Sequence, residues 1–270
     1  MIIMAISKRK LLCNFLNQVE EKLCKYLEQE TSRFVGAEKL INVKFRERRP
    51  TWENSDLEFI NEVTETTNEI VVAYMILTDK TSKCKELEYE PKPDLHSRSI
   101  DYRATFENGY TIYVDVKTIH PGSQDDWDNF ISIKKKGYFP ENMEVILSKN
   151  GLGGESWHKW YNARQSMLQY SLELEQKISS YIVDEKTLFV LAFCGNGTDW
   201  TEENLEDFCS FYLTGRHNQG DPYSKMEKYD LKKSSVSLLR NINGFCYLER
   251  PVTKPKPHKF KCAIKSMWYK

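Results

Sequence analysis

The chain has 270 residues, 40% hydrophobic and 29% charged, and its 39 Lys and Arg balance 39 Asp and Glu for a formal net charge of zero. These are ordinary values for a soluble globular protein, and the length allows one large domain or a core with an appendage. A zero net charge does not by itself favour a nucleic-acid partner, so that question passes to how the charge is distributed.

The first six residues, Met1 to Ile6, are too few for a signal-peptide core, and the basic cluster Lys8-Arg9-Lys10 follows them. No later stretch approaches the length of a membrane span. The cysteines, at 13, 24, 84, 194, 209, 246 and 262, form no Cys-x-x-Cys pair. They read as reduced thiols of a cytoplasmic protein, and they argue against a zinc site. The five histidines are scattered, and there is neither a nucleophile elbow nor a metalloprotease His pair.

Lys10 to Arg33 carries Leu11, Leu12, Phe15, Leu16, Val19, Leu23 and Leu27 at helical spacing. A short strand-like run follows and ends at Arg46-Glu47-Arg48-Arg49-Pro50. Asp56 to Leu77 is a second helix, with Ile60, Val63, Thr67, Ile70, Val71, Tyr74 and Leu77 on its apolar side and acids at 58, 62, 65 and 69 beside them. Lys85 to Glu90 is a strand broken by Pro91 and Pro93.

The stretch Ile100 to Thr118 has apolar residues alternating on two arms around Glu107-Asn108-Gly109. A two-residue Asn-Gly turn would set Phe106 against Thr111 and Ile100 against Lys117, apolar against polar throughout. A three-residue loop with Gly109 in the left-handed position instead pairs Phe106 with Tyr110, Ala104 with Ile112, Tyr102 with Val114 and Ile100 with Val116. Burial of one apolar face selects the second register, because a one-residue slip turns every side chain over. On the opposite face Asp101 then opposes Asp115, Arg103 opposes Tyr113, Thr105 opposes Thr111, and Lys117 follows Asp115. Two carboxylates facing each other repel by roughly 3 kcal/mol at about 5 Å and an effective dielectric near 20. A divalent cation between them, Mg²⁺ or Mn²⁺, relieves that repulsion.

Residues 119 to 157 form a long loop-rich insertion containing Lys134, Lys135 and Lys136 ahead of Tyr138, a combination suited to tracking a phosphate backbone. Its glycines match neither the G-x-G-x-x-G nor the Walker spacing. Trp160 to Tyr181 is a third helix, apolar at Met167, Leu168, Leu172, Leu174 and Ile178, and Thr187 to Cys194 is a continuous apolar strand. Thr201 to Tyr212 opens like a helix. Gly244 to Leu248 and Phe260 to Trp268 read as a closing strand pair. From Arg250 to Lys270 there are seven basic residues and no acid, which suits a nucleic-acid contact or a protected edge strand.

Asp101, followed by Asp115-Val116-Lys117 on the partner strand, resembles the motif of the PD-(D/E)xK nuclease superfamily. The resemblance covers roughly residues 68 to 194, where helix, strand, hairpin, helix and strand follow in the order of that family's core. The Pro-Asp pair is present as Pro93-Asp94, but on this register Asp94 lies beyond the reach of Lys117, so the first acid is assigned to Asp101. The resemblance implies an α/β fold of α+β type with a mixed sheet and a restriction-endonuclease-like αβββαβ core. That core would span 51–195, between an N-terminal helical extension (1–50) and a C-terminal extension (196–270).

It further implies a Mg²⁺- or Mn²⁺-dependent endonuclease acting on DNA, with Asp101, Asp115, the Val116 carbonyl and Glu69 as metal ligands and Lys117 at the attacking water. Glu65 and Glu62 are alternates for Glu69. Arg164, Gln165 and Gln169 on the third helix are candidates for the scissile phosphate, although the Q-x-x-x-Y signature of one nuclease branch is missing. A restriction, phage-defence or repair nuclease, an RNA nuclease and a non-catalytic nucleic-acid-binding module all fit the pattern, and a homodimer is compatible with it.

Overall fold

The computed structural model describes residues 21–47, 57–93, 98–118, 156–195, 202–209, 241–249 and 259–264. Among them, seven strands make one mixed sheet in simple sequential order. The strands are β1 (Phe34–Val35), β2 (Cys84–Tyr89), β3 (Tyr102–Phe106), β4 (Thr111–Thr118), β5 (Thr187–Gly195), β6 (Ile242–Glu249) and β7 (Lys259–Ile264). β2, β3 and β4 are mutually antiparallel; β4, β5 and β6 are parallel; β1 runs parallel to β2, and β7 antiparallel to β6.

Helices cover both faces. On one side lie α1 (21–29), α2 (Lys39–Glu47) and α3 (Leu57–Thr78); on the other lie α4 (Ser156–Ile178) and α5 (Glu202–Phe208). The sheet's alternation sorts the core accordingly. Leu87, Tyr89, Tyr102, Ala104, Phe106, Val114 and Val116 pack under α1 to α3. Phe189, Leu191, Phe193, Phe245 and Tyr247 pack under α4 and α5 with Met167, Leu174 and Phe208. The α4 connection between parallel β4 and β5 is the long crossover that such a pair requires. Glu175 of α4 accepts hydrogen bonds from the main-chain N–H groups of Asn241 and Ile242, which fixes where β6 begins.

The hairpin adopts the expected three-residue loop. Tyr102 pairs with Val114, Arg103 with Tyr113, Ala104 with Ile112 and Thr105 with Thr111. Phe106 N–H donates to the Tyr110 carbonyl at 2.9 Å, and Gly109 has a φ of +84°. The Asn108 side chain closes the loop by accepting the Tyr110 N–H at 3.1 Å.

Three expectations are corrected. The strand-like run after the first helix is α2, wound as a π-helix: Leu40, Ile41 and Phe45 are buried while Val43 is exposed, a spacing that alternation does not produce. The first helix ends near residue 29 and does not run to Arg33. Arg33 instead donates to the carbonyls of Leu77 and Cys84, tying the end of α3 to the start of β2. Finally, Ile100 is not a rung of the hairpin. The chain bends at Asp101, and Ile100 joins the core under α4, on the opposite side from Tyr102.

Other bounds shift by a few residues. α4 begins at Ser156, inside the expected insertion. β6 and β7 continue the same sheet beyond β5, with Glu249 pairing Lys259 at its far end. No helix among the described residues is long and apolar enough to cross a membrane.

Because Gly109 holds a left-handed backbone that costs an L-residue about 1–2 kcal/mol, Gly109→Ala should lower the unfolding free energy by about that amount in urea titrations with an unchanged slope. A neutral result would contradict the loop assignment.

Candidate functional site

The bend at Asp101 creates the site. In the regular ladder, the Val116 N–H would donate to the main-chain carbonyl of the residue opposite. Here it donates to Asp101 Oδ2 at 2.6 Å, so a carboxylate takes the place of a carbonyl at the end of β3. The Asp101 carbonyl meanwhile accepts the Glu90 N–H at 2.7 Å. The segment leading into the bend is held by Tyr181, whose hydroxyl accepts the Ile100 N–H at 3.0 Å and donates to the Pro91 carbonyl at 2.7 Å. Burial, opposed by the Ile100 hydrogen bond, pushes the Tyr181 hydroxyl's pKa up to about 12, so it remains a donor throughout the neutral range.

Asp115, on the α4 side of β4, is 0% exposed. Its Oδ1 accepts from Lys177 Nζ at 2.5 Å, and Lys177 comes from the last turn of α4. Its Oδ2 is buried, has no hydrogen-bond partner among the described residues, and lies 3.5 Å from Lys117 Nζ. Lys117 also approaches Glu173 Oε2 at 3.7 Å and sits 5.6 Å from the centre of the Tyr170 ring. Tyr170, Glu173 and Lys177 recur at helical spacing on α4, so one stripe of that helix covers Asp115 and Lys117.

The electrostatics follow from this packing. Burial, then the neighbouring charges of Asp115 and Glu69, raise the Asp101 carboxyl well above the usual range, against the Val116 hydrogen bond and Lys177. Burial works to lower the Lys117 ammonium, but Asp115, Asp101 and Glu173 outweigh it and hold its pKa above the ordinary value. Asp101, Asp115 and Lys117 thus belong to one electrostatic unit. The expectation that Asp101 stands squarely opposite Asp115 on a regular ladder is corrected: it lies one residue before β3, with its carboxylate turned toward the main chain of β4.

Glu69 is separate from this unit in its contacts. It is buried on the α3 side, where Lys44 Nζ donates to both of its oxygens at 2.6 and 2.8 Å and the Tyr89 hydroxyl donates at 2.8 Å. Burial raises its carboxyl pKa despite Lys44 and Tyr89. Its main-chain carbonyl accepts the Tyr102 hydroxyl at 2.8 Å. Asn68, one residue earlier, donates to the Thr118 hydroxyl at 2.9 Å and ties α3 to the end of β4.

Of the α4 candidates, Gln169 is exposed and donates to Glu173 at 3.3 Å. Arg164 and Gln165 fall on the helix, but their side chains lie outside the described residues, as do Asp94, Lys134, Lys135, Lys136 and the alternate Glu62. Lys177 and Tyr181 were missed in sequence. A lysine in a last helical turn is ordinary complementation of the helix dipole, and nothing local marks this one as a partner for a residue 62 positions earlier.

No group of three or more His, Cys, Asp or Glu side chains able to hold a metal ion occurs among the described residues. What is present is two carboxylates that act on each other electrostatically, Asp101 bonded to the Val116 main chain and Asp115 with one oxygen lacking a hydrogen bond among the described residues. In a strand the N–H and carbonyl of one residue face the same neighbour, so the Val116 carbonyl is directed to the Asp101 side. Two carboxylates and a carbonyl are hard oxygen donors that suit Mg²⁺ or Mn²⁺, whose remaining positions are ordinarily filled by water and phosphate. No protein-family model, curated protein or solved structure matches the chain.

A raised Asp101 carboxyl means that this group's contribution to stability is full below the ordinary Asp range and is lost as pH rises through the folded-state value. In chelator, Asp101→Asn, whose side-chain oxygen can still accept the Val116 N–H, should therefore raise the thermal midpoint by a few degrees at pH 7. The gain should shrink as pH falls through the folded-state value and be smallest below about pH 4. An equal effect at both pH values would refute this assignment.

Proposed function

We propose that the chain is a metal-dependent phosphodiesterase acting on DNA, with a restriction-endonuclease-like core. The observation that carries the reading is the buried Oδ2 of Asp115, which lacks a hydrogen-bond partner among the described residues, lies 3.5 Å from Lys117 Nζ, and belongs to a carboxylate whose charge raises the Asp101 carboxyl. The element order supports it: α3, the antiparallel β2, β3 and β4, then α4, then β5 parallel to β4, is the αβββαβ succession of that core.

In this reading Asp101, Asp115 and the Val116 carbonyl hold Mg²⁺ or Mn²⁺. A bound divalent cation lowers the pKa of its water and stabilises charge on a phosphate. The protein groups do the rest. Val116 N–H fixes the Asp101 carboxylate, and the enclosure of Asp115 keeps bulk water from its inner oxygen. Lys117, held protonated at rest by its acidic neighbours, orients the attacking water and balances the developing phosphorane charge. Glu69 is occupied by Lys44 and Tyr89, so its part is to fix α3 against β2, and it joins the cation only if Lys44 is displaced. DNA is the substrate proposed, and by composition Lys134 to Lys136 and the basic C-terminal stretch are the candidates for contact with its phosphates; the enzyme would act in the cytoplasm.

The second reading is a non-catalytic nucleic-acid-binding module on the same fold. It is favoured by one specific observation, the ammonium of Lys177 already lying on Asp115.

Incubation with Mg²⁺ or Mn²⁺ and a panel of duplex DNA, single-stranded DNA and RNA tests the first reading. Asp115→Asn and Lys117→Ala should remain folded by circular dichroism and lose cleavage by about 10²–10⁴-fold. Cleavage at the unmodified protein's rate by either variant would reject it.

A further inference from the structure

Lys177 reaches Asp115 from a different element than Lys117 does, and it makes the closer contact, 2.5 Å against 3.5 Å. Lys117 divides its charge between Asp115 and Glu173 and lies over the Tyr170 ring. Among the described residues, Lys177 has no carboxylate within ion-pair distance except Asp115. A carboxylate at 0% exposure is costly to keep ionised without a close partner. Lys177 supplies that partner at Oδ1 and leaves Oδ2 without a hydrogen bond among the described residues, 3.5 Å from Lys117.

Its position also lets it leave. It stands in the last turn of α4, with 15% of its side chain exposed and a stem of four methylenes, so the ammonium can swing toward solvent with the helix in place.

We infer that Lys177 is the resident counter-ion of the site: it neutralises Asp115 while no divalent cation is bound, and it sets the concentration at which one enters. The inference rests on the metal-dependent reading above. An ammonium on one oxygen of a carboxylate opposes a dication on the other, and in a buried site that opposition is weakly screened. Lys177 therefore lowers cation affinity while it stabilises the cation-free fold, and loss of the lysine reverses both effects.

The test is calorimetric titration with Mn²⁺, joined to thermal unfolding with and without Mn²⁺, on the full chain and two variants. Lys177→Met should unfold at lower temperature in chelator, bind Mn²⁺ at least about tenfold more tightly than the unmodified protein, and gain more stability from saturating Mn²⁺. Lys177→Arg, which keeps the charge, should hold affinity near that of the unmodified protein. Mn²⁺ uptake by Lys177→Met where the unmodified protein shows none supports the inference equally.

Unchanged or weaker affinity in Lys177→Met, with clear binding by the unmodified protein, overturns the counter-ion role and leaves the nuclease reading standing. Absence of Mn²⁺ uptake by every form overturns both. Should Lys177→Met fail to fold in chelator, Lys177→Gln, which removes the charge and keeps a polar hydrogen-bond donor, is judged by the same affinity criterion.

Discussion

The constraint on which the site depends is the charge of Asp115, held inside a sheet covered on both faces. A lone ionised carboxylate there would forfeit its hydration, and the protein answers with two lysines from different elements. One is two residues along the same strand and the other arrives on the helix that crosses from β4 to β5. Docking α4 therefore does two things at once: it buries the aromatic core of β5 and β6, and it brings Lys177 to a charge that would otherwise oppose that docking.

The opposite face carries a second buried charge pair, Lys44 with Glu69, in which the Tyr89 and Tyr102 hydroxyls bind the Glu69 carboxylate and main-chain carbonyl. Asp101 feels both regions, because the charges of Asp115 and Glu69 each raise its carboxyl. The end of β3 is thus where the electrostatics of the two helical layers meet. The structural devices around it serve that position: the bend, the Tyr181 hydroxyl spanning Pro91 and Ile100, and the Asn68 bond to Thr118.

Much of this was legible in the sequence because it is local. The hairpin loop follows from matching apolar faces, and the left-handed Gly109 from the register that matching demands. The long helices and the buried strand announce themselves by periodicity. What the sequence did not disclose depends on distant parts of the chain or on a broken rule. Alternation extrapolated through Ile100 places it with Tyr102, but Tyr181, 81 positions away, captures its N–H, and Ile100 lies in the other core. The α2 segment alternates like a strand and is wound as a wide helix. Glu69 lies among acids that look like a solvated stripe, and only the fold shows that Lys44 and Tyr89 enclose it.

The carboxylate of Asp101 stands in for a main-chain rung, and this bears on how well aimed the acid is. A free aspartate samples several rotamers and must surrender that freedom on meeting a ligand. One whose oxygen is already bonded to a strand amide has given it up during folding, and its remaining oxygen inherits the stiffness of the sheet. The entropy of orienting this group is settled before any ligand arrives, which is the preorganisation on which tight geometric tolerance at a reacting centre depends.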